Sequence, residues 1–128
     1  LGIEILEAAD GRAVGELELT AEHSSNPERM IAHGGVTYAL ADTVGGAATI
    51  STNYDVTPTI DMRIDYLAPA TGDMLRAEAE VVRNGNNVAS VVVDVTDADG
   101  SDIATARGVY PSGGGGESSA WLDEEQFE

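Results

Sequence analysis

No cysteine occurs among the 128 residues. That excludes disulfides, thiolate metal sites and a cysteine nucleophile. Lysine is missing too: all six basic residues are arginines, at positions 12, 29, 63, 76, 83 and 107. Against them stand 23 Asp and Glu residues, a formal net charge of −17. Such a chain has no cationic footprint, so neither nucleic acid nor an anionic membrane is expected as a partner. An acidic active site cannot account for charge spread over the whole chain. High salt can, because carboxylates hold hydration there and self-repulsion is screened. A halophilic surface is the expectation, and a merely acidic one the alternative. Bulk is scarce as well, with one Trp, one Phe and four Tyr. The core must come from small aliphatics, chiefly Ala and Val. No apolar run approaches the roughly 20 residues that span a bilayer. No charged segment leads into an apolar one, so no signal peptide is expected, and the cytoplasm is the expected compartment. Only two histidines, His23 and His33, are present. A Ser-His-Asp triad and a His/Asp metal cluster are therefore not expected, and no phosphate-cradling GxxxxGK[ST] loop occurs.

What is present reads as one domain over 1–111, then a glycine-rich linker at Ser112–Gly116 and an acidic tail at Glu117–Glu128. Trp121, Leu122 and Phe127 in the tail could dock on the domain or face solvent, and the second reading is preferred. Two β-prone runs, Leu1–Glu7 and Ala13–Thr20, flank an Asp10-Gly11 hairpin signal. A polar loop, Ala21–Ile31, holds His23, read as a loop residue outside the chemistry. Val36, Leu40, Val44, Ala47 or Ala48, and Ser51 then recur at helical spacing, predicting a helix over about Gly35–Thr52. Alternation predicts strands at Thr57–Pro69 and Leu75–Arg83, richness in Val predicts one at Val88–Thr96, and a last strand runs over Ile103–Tyr110, ended by Pro111. The short turns make neighbours antiparallel. One helix on such a sheet is an α+β arrangement.

The predicted helix raises a problem of chemistry. Asp42 lies in an apolar run, and burying a carboxylate without a partner is costly. Gly34 and Gly35 stand at the helix start, where free N–H groups attract negative charge and glycine admits a ligand closely. Together they could be an acid/base group and an oxyanion donor. Yet eight helical residues at 1.5 Å each hold Gly34 and Asp42 about 12 Å apart. Both must lie roughly 3 Å from one reacting group. If both act on one carbonyl, they come from two chains paired about a two-fold axis. Gly45 and Gly46 each cost about 1 kcal/mol in a helix interior, which implies close approach by another backbone or a ligand. The plain alternative is a solvated Asp and glycines that merely pack. Arg107 reads as an ion-pair partner of a carboxylate, in preference to a ligand contact.

His33-Gly34-Gly35 followed by Leu40-Ala41-Asp42 resembles the HGG-x4-LAD pattern of the PaaI-like hotdog-fold thioesterases, the phenylacetic-acid-degradation and related acyl-CoA thioesterases. The likeness continues through Thr59-Ile60-Asp61-Met62, Tyr66-Leu67-Ala68-Pro69-Ala70, Arg83-Asn84-Gly85 and Ala104–Gly108, and covers about residues 3–111. It implies a hotdog fold, a long central helix wrapped by a six-stranded antiparallel sheet, in homodimers and usually dimers of dimers. It implies hydrolysis of acyl-CoA thioesters, with CoA entering as part of the substrate and no separate cofactor or metal. Asp42 would be general base or nucleophile and Gly34 the oxyanion N–H donor. His33 would shape that loop, Asn26 would position water or the carbonyl, and Thr59 would assist Asp42. Gly35, Tyr66 and the hairpin residues Arg83, Asn84, Gly85, Asn86, Asn87 and Val88 would touch substrate or CoA. A non-catalytic acyl-CoA binding module on the same fold is the alternative. A hotdog hydratase or dehydratase would want His at position 42 and ranks lowest.

Overall fold

Asp10 and Gly11 both take positive φ, 53° and 81°, as a two-residue type I′ hairpin turn requires. The computed structural model, which describes residues 1–55 and 57–112, thereby joins β1 (Glu4–Ala9) to β2 (Arg12–Glu18). The tight turn lets β1 run on to Ala9, two residues past the expected end at Glu7. A short 3-10 turn at Ala21–His23 follows, and then α1 (Gly34–Asn53), one residue longer at each end than its spacing predicts. Leu40, Ala41, Val44 and Ala48 are fully buried along one stripe of α1. Burying a Leu or Val side chain contributes about 1.5–3 kcal/mol, so this stripe fixes which face of the helix meets the sheet. The stripe packs mainly on β2, β4 and β5.

After the helix come β3 (Asp61–Tyr66), β4 (Met74–Asn84), β5 (Val88–Asp97) and β6 (Asp102–Pro111). The six strands form one antiparallel sheet in the order β1-β2-β4-β5-β6-β3. Inner positions of β4 and β5, among them Ala77, Val91, Val93 and Val95, are fully buried. This is the small-aliphatic core that the composition demands. β3 is shorter than the expected Thr57–Pro69, because its ladder with β6 covers only Asp61–Tyr66. Thr59 and Leu67 therefore lie just outside the strand. The chain crosses the sheet with α1, so β3 sits at the far edge, paired with β6 alone.

Three sequence expectations change. His23 ends the 3-10 turn and does not lie in irregular loop: it is buried, and its Nδ1 accepts the Thr20 N–H at 3.0 Å. Arg107 has no carboxylate partner among the described residues; strand register sets it opposite Arg63. Ser112, expected to open the linker, is fully buried; its N–H and hydroxyl donate to the carbonyls of Asn87 and Gly85. Trp121, Leu122 and Phe127 lie outside the described residues. No described helix is long and apolar enough to cross a membrane.

The ion pairs formed, Arg12–Glu80, Arg63–Asp65 and Arg76 with Glu16 and Glu78, are all at least partly exposed. They leave most carboxylates uncompensated, and repulsion among these falls as salt shortens the Debye length to about 3 Å at 1 M. Urea melts are expected to shift to higher midpoints between 0.1 M and multimolar KCl. Equal midpoints would reject the salt-adapted reading of the charge.

Candidate active site

The first turn of α1 is built by two side chains. His33 is the N-cap, and its Nδ1 accepts the Gly35 N–H at 2.9 Å. Tyr66, the last residue of β3, donates its hydroxyl to the Gly34 carbonyl at 2.6 Å. The Gly34–Gly35 peptide is thus held from both ends. Val36 N–H donates to the His33 carbonyl at 2.8 Å. Gly34 N–H alone in this turn finds no acceptor among the described residues, at the positive end of the helix dipole. Burial, and secondarily Tyr38, push the Tyr66 phenol up, so it stays a neutral donor. An open cavity of about 390 Å³ lies beside Gly34, walled by Thr37, Tyr66, Leu67, Pro69 and Ile103.

Two turns further on, Asp42 is half-buried and held by hydroxyls. Thr59 Oγ1 donates to its Oδ1 at 2.6 Å, and the Tyr110 hydroxyl lies 2.9 Å from the same oxygen. Oδ2 has no partner among the described residues. Burial first, and the Asp42 charge second, push the Tyr110 phenol well above the usual tyrosine range. This is how a carboxylate is tolerated in an apolar stretch: the sheet supplies donors the helix lacks.

Tyr110 was not foreseen from the sequence, where it reads as the end of a strand. Its signal was the glycines. A Cβ on Gly45 would stand 2.7 Å from the Tyr110 hydroxyl, and one on Gly108 would stand 2.8 Å from its ring. Gly45 is therefore explained by a side chain of the same molecule, not by another backbone or a ligand. A Cβ on Gly46 would be only in ordinary contact with the same ring. Tyr38, on the Asp42 face, donates to the Met62 carbonyl at 3.0 Å and ties α1 to β3.

The remaining residues fall elsewhere. The Asn26 side-chain oxygen accepts the Glu28 N–H at 2.8 Å within its own loop. The hairpin of Arg83–Val88 sits at the C-terminal end of α1, where the Asn53 and Asn84 side chains bond each other at 3.0 Å. Within one chain, then, Gly34, Gly35, His33 and Tyr66 form one cluster, and Asp42, Thr59 and Tyr110 form another. The clusters share no hydrogen bond.

One long helix laid on a six-stranded antiparallel sheet is the hotdog architecture, and the comparisons agree. Residues 30–104 match the Thioesterase superfamily model. A candidate esterase of Halobacterium salinarum is 34% identical over 128 residues, covering 86% of this chain and 80% of that protein. The medium/long-chain acyl-CoA thioesterase YigI of Salmonella typhimurium is 30% identical over 103 residues, 69% of this chain and 66% of that one. Among solved structures, a variant of the phenylacetic acid degradation protein PaaI from Thermus thermophilus superposes with a TM-score of 0.78 at 29% identity, covering 88% of this chain and 94% of that chain. A hypothetical thioesterase protein of Streptococcus pneumoniae, solved with coenzyme A, gives 0.77 at 27% identity over 86% and 84%. The chain belongs to the thioesterase superfamily, and it is a thioester hydrolase of the hotdog fold.

Proposed function

We propose that the chain hydrolyses acyl-CoA thioesters at a site shared by two copies, with Asp42 of one and Gly34 of the other. The observation that carries this is the pair of half-sites: an oxyanion donor without a carboxylate, and a carboxylate without an oxyanion donor. The acyl-CoA thioesterase and coenzyme A-bound relatives support the substrate class. The strand β3 supports the pairing. Thr59 precedes its first residue and Tyr66 is its last, so it carries one cluster at each end, and no strand among the described residues pairs its outer edge. Antiparallel pairing of two such edges about a two-fold axis brings the Asp42 end of one chain to the Gly34 end of the other.

The chemistry needs little more. A thioester carbonyl is more electrophilic than an ester, and a thiolate leaves readily. The carbonyl oxygen takes the Gly34 N–H. Asp42 Oδ2 takes a proton from water, whose oxygen attacks the carbonyl carbon. The tetrahedral oxyanion, held by Gly34, collapses and expels CoA thiolate, which recovers the proton from Asp42. In the nucleophilic variant the carboxylate attacks the carbonyl carbon and expels CoA thiolate, and water then cleaves the resulting anhydride, giving the free acid, the carboxylate and a proton that the thiolate takes up.

Complementation tests the shared site. D42A chains and G34P chains, each inactive alone, are co-expressed with different tags, and thiol release is measured on a panel of CoA esters in multimolar KCl. Random pairing makes half the dimers mixed, each with one intact site, so about one quarter of wild-type sites is expected to return. No recovery in purified mixed dimers would reject the shared site. CoA ester binding without thiol release by the wild-type chain would favour a binding module.

A further inference from the structure

We infer that Tyr110 is a positioning residue that reserves Asp42 Oδ2 for the reaction and steadies the carboxyl in both protonation states. The inference rests on the reading of Asp42 as the reacting carboxylate. Tyr110 is 1% exposed and reaches α1 from β6 through the space left by Gly45 and Gly108. Its hydroxyl oxygen lies 2.9 Å from Asp42 Oδ1 and also 2.9 Å from the Asp42 main-chain carbonyl oxygen.

A phenol carries one proton and can serve one acceptor at a time. With Asp42 ionised, the proton turns to Oδ1, where charge strengthens the bond. Once Asp42 has taken a proton from water, that advantage is gone, and the phenol proton can turn to the main-chain carbonyl. No heavy atom has to move. The catalytic carboxyl can therefore cycle between base and acid in a fixed position, which keeps the reacting geometry paid for in advance.

Thr59 adds a second donor to the same Oδ1. Both anchors fall on one oxygen, so the other is the one left to meet water. The titratable groups acting on the phenol are Asp42 and Tyr38, both from α1, and burial adds to their effect in keeping it protonated. Thr59, the contact from the segment before β3, is uncharged.

The test is the pH dependence of kcat/KM for a CoA ester in Y110F, which removes only the hydroxyl. Withdrawing a donor from the ionised carboxylate makes it easier to protonate. The acidic limb is expected to move to higher pH. At neutral pH kcat is expected to fall about tenfold, with KM unchanged. A purely structural role would lower the melting temperature and leave the limb in place. If Y110F does not fold, G45A serves instead, since its Cβ would push the phenol off Asp42, and the same limb shift is expected. D42N is run alongside. An unmoved limb in a folded variant, with D42N inactive, overturns the role of Tyr110 and leaves that of Asp42 standing. Full activity in D42N overturns the Asp42 reading itself.

Discussion

D42A is expected to lower kcat on CoA esters about 10³-fold, within the range of general acid–base contributions. KM should change little, because the carboxylate acts on the reacting atoms and not on the body of the substrate. The fold should persist. Asp42 is half-buried, and its main-chain carbonyl remains as an acceptor for Tyr110. D42N separates chemistry from packing: it keeps the shape and can still accept from Thr59 and Tyr110, but it cannot take a proton. An equal loss in D42N assigns the effect to the ionised oxygen. Unchanged kcat in either variant would remove Asp42 from the mechanism. Single-turnover hydrolysis in labelled water then divides the two routes, since label within Asp42 marks direct attack by the carboxylate.

G34P is expected to lower kcat by about 10²- to 10³-fold, the usual effect of losing one oxyanion donor. Proline suits the helix here. Gly34 is the first residue of α1, where proline is favoured. His33 before it already has φ −58° and ψ 138°, the extended region a following proline requires. The substitution therefore takes away the N–H and little else of the backbone. G34A is the control, since it keeps the N–H and adds a Cβ at 3.2 Å from the Tyr66 hydroxyl. A small shift of the Tyr66 ring accommodates it, so G34A should keep most activity. Equal losses in the two variants would assign the effect to crowding at Tyr66 and not to the missing donor.

Much of this molecule was legible without coordinates. Leu40, Val44 and Ala48 repeat at helical spacing because one helical face must be buried, and that repeat located α1 to within one residue at either end. Asp10-Gly11 marked its hairpin because positive φ at two successive residues narrows the choice of side chain. β-prone runs, alternation and a Val-rich stretch marked the six strands, and they overran at the start of β1, the end of β2 and both ends of β3, where ladder pairing and not pattern sets the ends. The charge was a matter of counting. Even the separation of Gly34 from Asp42 followed from helical rise alone.

Contacts across the chain were another matter. The resemblance names Thr59, 17 residues from Asp42, but the pattern of the helix does not put the Tyr110 hydroxyl, 68 residues away, on the same oxygen. Likewise Tyr66 secures the Gly34 carbonyl from 32 residues away. Arg107 meets Arg63 and not a carboxylate because the register of β3 on β6 was decided by the whole sheet. Local sequence determined the elements, since backbone conformation and burial of one face are local constraints. Only the tertiary structure decided which oxygen of Asp42 is anchored and which stays free, because hydrogen bonds join whatever the fold brings together.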